Sequence, residues 1–167
     1  MSKVKSFYLG DQAGDLARTV RLRVIRPVFG REAVREDLPA YFPGDRFTSP
    51  RQVYELFRDL TEEPREQFLA LYLDAKNRII CFDRVSIGSL NQTIVHPREV
   101  FQTAMLSSAA ALLLIHNHPS GDPEPSPEDI GITKRLKECG DLLGINILDH
   151  VVIGEDGYVS FVEHGLL

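Results

Sequence analysis

The sequence predicts an α/β fold in which a mixed β-sheet is flanked by helices. Two observations support this prediction. Apolar segments rich in strand-forming residues alternate along the chain with segments whose apolar residues recur at helical spacing. Two pairs of apolar segments are separated by short turn-forming stretches, which indicates hairpins. With 167 residues, 43% of them apolar, the chain is long enough to bury a substantial core in one domain.

Residues 1–47 predict an irregular arm and linker, and residues 48–167 predict the domain. Glycines and prolines interrupt the arm, which holds nine Lys and Arg against six Asp and Glu, although the whole chain carries a net charge of −5. Arginines separated by apolar residues predict an edge strand with one basic face in this arm: Arg18, Arg21, Arg23 and Arg26. Two interpretations remain open, a solvated edge strand and a contact with an anionic partner.

Start and stop signals place three helices in the domain. Pro50, after an N-capping serine, begins the first, and Pro97 begins the second. The second helix has an apolar stripe formed by Val100, Phe101, Ala104 and Met105. Pro127, again after a serine, begins the third helix, which ends at Gly144.

Five apolar segments predict strands. Residues 66–74 and 78–88 form a hairpin, and residues 110–115 form a buried strand that leads into a His-Asn-His-Pro motif. Residues 145–154 and 158–163 form a closing hairpin. Strands and helices in this order predict a mixed sheet with helices on its faces.

Composition also excludes several classes of protein. No apolar run approaches the roughly 20 residues that a membrane span needs, and the first residues lack the hydrophobic core of a secretory signal. We therefore expect a soluble, cytoplasmic protein with no membrane association. Cys81 and Cys139 are too few and too far apart for a disulfide framework or a Cys-rich metal site, so both are expected to be buried free thiols.

The most informative stretch is the end of the buried strand. His116 and His118 are two residues apart, so an extended backbone points both imidazoles to the same side. Asp129 follows at the start of the third helix, after a loop rich in glycine and proline that can fold back toward the strand end. Two neutral nitrogens and one carboxylate oxygen suit Zn²⁺, and three protein ligands leave a fourth position for water. The spacing predicts a catalytic rather than a structural zinc site.

These residues resemble a known family. The segments HNHPSGDPEPSPED, HPREVFQTA and LLGINILDHVVIG are similar to RadC-type members of the JAMM (JAB/MPN) metalloprotease superfamily, and the resemblance extends over about 48–165. It implies a three-layer, cytidine-deaminase-like architecture. It also implies zinc ligands at His116, His118 and Asp129, and a functional serine at Ser126. The asparagine between the histidines is the RadC-type variant of a position that is Ser or Thr in many relatives.

The resemblance further implies hydrolysis of a peptide or isopeptide bond in a peptide or protein-conjugate substrate. Glu66, just before an apolar strand, matches the superfamily's general base, with Glu62 and Glu63 nearby as alternatives. Glu66 would move the proton of the attacking water to the leaving amine, and Ser126 would donate a hydrogen bond to the oxyanion. Asp149 and His150 lie in the closing hairpin and either support the metal ligands or pin the closing strand, and we favour the second role.

Two other functions remain as alternatives. A DNA-associated, repair-type accessory protein is suggested by the RadC name and the arginine-bearing arm, but the acidic balance of residues 48–167 disfavours it. A zinc nucleobase deaminase would need a His-x-Glu motif followed by Pro-Cys-x-x-Cys. The two cysteines of this chain cannot supply that pair of thiolates.

Overall fold

The structure is a computed structural model that describes residues 27–31, 46–88 and 95–167. The predicted edge strand of the arm, which contains Arg18, Arg21, Arg23 and Arg26, lies outside the described residues.

A five-stranded sheet forms the centre of the domain. Its strands, in chain order, are β1 (Gln67–Leu73), β2 (Ile79–Ile87), β3 (Ala111–Asn117), β4 (Asn146–Gly154) and β5 (Gly157–Ser160). They lie in the order β2-β1-β3-β4-β5. The pair β3 and β4 is parallel and the other three pairs are antiparallel, so the predicted mixed sheet is confirmed.

Among the described residues, three α-helices flank this sheet. They are α1 (Pro50–Phe57), α2 (Pro97–Leu106) and α3 (Pro127–Leu143), and a short 3₁₀ helix, Arg58–Glu62, follows α1. Each α-helix begins at the predicted proline, where the missing amide hydrogen costs no helical bond. The third ends at Gly144, which adopts the left-handed conformation (φ 69°) that glycine tolerates best.

The alternating side chains of the strands divide the core into two apolar layers. In β1, Phe68, Ala70 and Tyr72 pack on the side of α2 and α3, while Leu69, Leu71 and Leu73 pack on the side of α1. Both faces of the sheet are therefore covered by helices. This arrangement confirms the expected three-layer architecture.

Three details of the predicted core are wrong. Met105 was expected in the apolar stripe of α2 but is 58% exposed, because Val100, Phe101 and Ala104 face the core and the next residue is turned about 100° away from Ala104. Cys81 and Cys139 are free thiols as expected but are only partly buried.

The loop between β3 and α3 is fixed against the end of β4. The backbone N–H of His118 donates to Ile153 O (2.9 Å), and that of Glu155 donates to Gly121 O (2.8 Å). A Cβ atom at Gly154 would overlap the backbone of Gly121 and Pro123, so only glycine allows this close approach. The loop thereby delivers the first turn of α3 to the end of β3.

Among the described residues, no helix combines the length and the apolar character that crossing a bilayer requires.

Candidate metal centre

The two predicted histidines meet at the end of β3. His116 is the penultimate residue of the strand and is fully buried, and His118 follows the strand with its side chain 16% exposed. Because alternate residues of an extended chain point to one side, the two rings converge, with their Nε2 atoms 3.0 Å apart. The structure thus brings together the two side chains that the HxH spacing predicted.

Asp129 completes the group from the first turn of α3. A capping box orients it: the backbone N–H of Asp129 donates to Ser126 Oγ (3.1 Å), and the backbone N–H of Ser126 donates to Asp129 Oδ2 (2.7 Å). Asp129 Oδ1 lies 3.2 Å from His116 Nε2, and Oδ2 lies 3.3 Å from His118 Nε2. The helix start therefore places a carboxylate directly against both imidazoles.

The three separations match the dimensions of a zinc site. Tetrahedral bonds of about 2.0–2.1 Å place neighbouring ligand atoms about 3.3 Å apart. The Nε2 atoms of His116 and His118 are 3.0 Å apart, and each lies near a different oxygen of Asp129, at 3.2 Å for His116 and 3.3 Å for His118. The group is compact enough for each of the three residues to offer one atom to the same ion.

A buried chain of hydrogen bonds sets the tautomer of His116. The only hydroxyl hydrogen of Thr133 is donated to Asp129 O (2.6 Å), so Thr133 Oγ1 accepts from the Nδ1–H of His150 (2.6 Å). Burial, followed by the nearby His116, lowers the pKa of His150 well below its usual value, so this ring is neutral at pH 7. Its Nε2 carries no hydrogen and accepts from the Nδ1–H of His116 (2.8 Å). With Nδ1 as the donor to His150, the Nε2 of His116 is the nitrogen that can offer a lone pair to a metal ion.

The hydrogen on the His118 ring can be assigned in the same way. Its Nδ1 lies 2.7 Å from Asp122 O, and since a carbonyl oxygen only accepts, Nδ1 carries the hydrogen. The neutral His118 ring then also presents an unprotonated Nε2. Two nitrogen lone pairs and one carboxylate converge here, an arrangement that needs a proton or a metal cation between them. The donor set fits a zinc ion held by His116, His118 and Asp129.

The electrostatics of the group favour a cation as well. Burial alone would raise the pKa of the Asp129 carboxyl, but hydrogen bonds from His116 and His118 hold that pKa well below its usual range. The hydrogen bond with Asp129 raises the pKa of His118, against the opposing effect of half-burial. Asp129 is therefore an anion at neutral pH.

Glu66 lies immediately before β1 and is partly buried. In the antiparallel pairing of β1 with β3, Phe68 is opposite His116, so Glu66 is on the same face as both. Its charge is one of the causes that raise the pKa of His118, which places the carboxyl in the electrostatic neighbourhood of the site. Glu62 and Glu63 are further from β1, in and just after the 3₁₀ helix. The role of Glu66 as general base stays a prediction.

Ser126 has a more specific contact than the sequence indicated. Its hydroxyl donates to Asp129 Oδ2 (2.6 Å) while accepting the backbone N–H of the same residue. The single hydroxyl hydrogen is thus engaged with a candidate ligand in this structure. Its predicted role at an oxyanion would require the hydroxyl to turn away from Asp129.

The sequence interpretation underestimated His150 and did not identify Thr133 as part of the site. Asp149 and His150 were both expected to pin the closing strand. Asp149 does so, accepting from Ser160 Oγ (2.6 Å) and from the backbone N–H of Val162 (3.0 Å). His150 itself is fully buried against His116. An unexplained histidine in a buried strand was the available signal, but its partner depends on the parallel pairing of β3 with β4.

A mixed, helix-covered sheet with a His-x-His-…-Asp group at the end of its central strand defines a protein of the JAB/MPN type. The sequence matches the RadC-like JAB domain family over residues 47–166. The chain belongs to this family.

Curated relatives support the same conclusion. A UPF0758 protein of Pelobacter propionicus is 62% identical over 124 residues, covering 74% of this chain and 54% of that protein. A UPF0758 protein of Syntrophotalea carbinolica is 51% identical over 140 residues, covering 83% and 59%, and one of Methanosarcina mazei is 52% identical over 126 residues, covering 75% and 55%. The chain spans somewhat more than half the length of these relatives.

Proposed function

We propose that this chain is a zinc-dependent hydrolase that cleaves a peptide or isopeptide bond. The observation that carries the proposal is the convergence of two imidazole rings and a carboxylate, in which each pair of side chains approaches to 3.0–3.3 Å. Membership of the RadC-like JAB domain family supports it, because the JAB superfamily includes metalloproteases. The substrate would be a peptide or a protein conjugate.

His116, His118 and Asp129 would hold the ion. A zinc ion with three protein ligands lowers the pKa of a bound water to about 7 and polarises a carbonyl oxygen. The protein supplies rigidity: β3 fixes one histidine by strand pairing, the capping box fixes the aspartate, and Asp122 O fixes the other ring. Such preorganisation keeps the ligands from rearranging during the reaction.

Glu66 would act as the general base. Its position on the same face as His116, before a fully buried strand, allows its carboxylate to accept a proton from the attacking water and return it to the leaving amine. Ser126 would keep Asp129 in place. Its hydroxyl would also donate to the oxyanion if it turns from Asp129 Oδ2.

Comparing the protein with its Glu66→Gln variant tests this function. Both zinc-loaded proteins are incubated with a mixture of proteome-derived peptides and with lysine-linked isopeptides, and new amino termini are identified by mass spectrometry. The intact protein should produce new termini. Glu66→Gln should keep its zinc and cleave about 10²–10⁴-fold more slowly, the usual contribution of a positioned acid or base.

Glu63→Gln is the matched control, because Glu63 is an exposed carboxylate three residues away. It should cleave as fast as the unchanged protein. Equal cleavage by the Glu66→Gln variant would remove Glu66 from the mechanism. An absence of cleavage by the zinc-loaded protein on every substrate would count against the hydrolase itself.

A further inference from the structure

Asn117 stands between the two histidines but faces the other side of the sheet. It is the last residue of β3 and is completely buried. Because successive residues of a strand alternate, its side chain points away from the rings of His116 and His118. It therefore has no place among the candidate metal ligands, and its burial calls for polar partners.

The partners of Asn117 lie on either side of Glu66. Asn117 Oδ1 accepts the backbone N–H of Gln67 (2.8 Å), and Asn117 Nδ2 donates to the backbone carbonyl of Arg65 (3.2 Å). One amide side chain thus replaces a rung of the β1–β3 ladder and binds the two residues that flank the carboxylate. Fifty residues of chain separate the two segments that it joins.

The opposite side of the same segment is also held. The backbone N–H of Gly88, just after β2, donates to the carbonyl oxygen of Glu66 (2.9 Å). The backbone of residues 65–67 is therefore bonded to β2 on one side and to the side chain of Asn117 on the other. Since Asn117 stands between two candidate ligands at the end of a rigid strand, this contact fixes the backbone of Glu66 relative to the candidate metal group.

We propose that Asn117 is a positioning residue that holds Glu66 at its working distance from the metal held by His116 and His118. The inference rests on the proposed function, because it assumes that Glu66 acts on a reaction at that metal. Without the amide, the N–H of Gln67 and the carbonyl of Arg65 lose buried partners, and the segment relaxes to find new ones. A displacement of about 1 Å is enough to slow a positioned group about 100-fold.

The test uses the whole chain loaded with Co²⁺, whose visible absorption reports the groups around the ion, and compares Asn117→Ala, Glu66→Gln and the double variant. All three should bind one Co²⁺ per chain. Asn117→Ala should shift the absorption in the same direction as Glu66→Gln. In the double variant the asparagine substitution should add nothing, because a residue that acts through Glu66 has no effect once Glu66 is changed.

Turnover of a peptide cleaved by the intact protein provides the second readout. Asn117→Ala should lower kcat about 10- to 100-fold with little change in KM. Tyr72→Phe is the matched control. It also removes a buried hydrogen bond from a side chain to the backbone, Tyr72 Oη to Val100 O (2.9 Å), but six residues along β1 from Glu66. It should leave both kcat and the absorption unchanged.

If Asn117→Ala fails to fold, Asn117→Ser replaces it, since a hydroxyl on a shorter side chain restores the two contacts only in part and should give a smaller shift in the same direction. The inference is overturned if the asparagine variants match the unchanged protein while Glu66→Gln does not, or if the two effects add in the double variant. If Glu66→Gln alters neither readout, the assigned role of Glu66 fails, and the role of Asn117 fails with it. If no peptide is cleaved, the visible absorption of the Co²⁺-loaded variants tests the role of Asn117 by itself.

Discussion

At the scale of single residues, the distinctive feature of the site is that hydrogen bonds fix which nitrogen of each buried ring carries a hydrogen. A chain of hydrogen bonds connects Asp129 O, Thr133, His150 and His116. Each donor in it is identified because a carbonyl oxygen can only accept and a hydroxyl has a single hydrogen to donate. Partners of this kind normally fix a metal-binding ring in one tautomer. The backbone of one candidate ligand therefore sets the tautomer of another.

Thr133→Val should weaken zinc binding about 10- to 100-fold. Valine keeps the shape of threonine but cannot accept the Nδ1–H of His150, so the proton moves to the nitrogen that faces His116 and opposes the required tautomer. A competition titration with a chromophoric chelator measures the affinity. Ser160→Ala, which removes a buried hydroxyl outside this chain of hydrogen bonds, is the control and should bind zinc normally. Unchanged affinity in Thr133→Val would show that the tautomer does not matter.

Zinc affinity should fall as the pH is lowered through the raised pKa of His118. The hydrogen bond to Asp129 stabilises the protonated ring, and below that pKa a proton occupies the nitrogen that zinc needs. Each displaced proton costs about tenfold in affinity per pH unit. Above that pKa the affinity should no longer depend on His118. Calorimetric titrations at several pH values, in buffers of different ionisation enthalpy, would count the released protons; a release of none would contradict the assignment.

At the scale of secondary-structure elements, short sequence motifs predicted where elements begin, but not the contacts that depend on which strands pair. A serine followed by a proline predicted where α1 and α3 begin. The HxH spacing predicted that two rings lie on one side at the end of β3. The contacts of His150 and Asn117 could not be predicted in the same way. Both depend on which strands lie beside β3 and in which register, and the register of β3 with β4 contains a shift that no local pattern encodes.

The close contact at Gly154 allows a test of whether the packing of the loop between β3 and α3 supports stability and metal binding. Gly154→Ala should destabilise the domain by about 1–3 kcal/mol and weaken zinc binding, because the added Cβ displaces Gly121 and with it the start of α3. Gly131→Ala is the matched control, since its Cβ meets no atom within 4 Å in the middle of a helix. It should be neutral or stabilising by about 0.4–1 kcal/mol. Chemical denaturation and chelator competition measure the two effects; equal stability of the two variants would refute the packing argument.

At the scale of the whole molecule, the described domain carries its own core and candidate site. The last two residues of the predicted arm contact the domain: Arg46 bridges to Arg78, and Phe47 packs on the layer under α1. Deleting residues 1–45 keeps both contacts. The truncated protein should melt in one transition within about 4 °C of the intact chain, a shift worth about 1 kcal/mol in a domain of this size. Loss of cooperative folding would show that the arm is part of the core.

The same truncation tests the alternative of DNA binding. If the arginines of the arm contact phosphates, the intact chain should bind duplex DNA with an affinity that falls steeply with salt, and the truncated chain should not bind. Fluorescence anisotropy at several salt concentrations measures both. Equal binding by the two proteins would assign the contact to the domain instead of the arm.

The central claim is that His116, His118 and Asp129 form a zinc site, and elemental analysis tests it most directly. Protein purified without added metal is compared with the His116→Ala, His118→Ala double variant, after circular dichroism has shown that both are folded. The intact protein should contain about one zinc per chain, as expected for a three-ligand site, and the double variant should contain almost none. Equal zinc content in the two proteins, or none in either after incubation with zinc, would contradict the account.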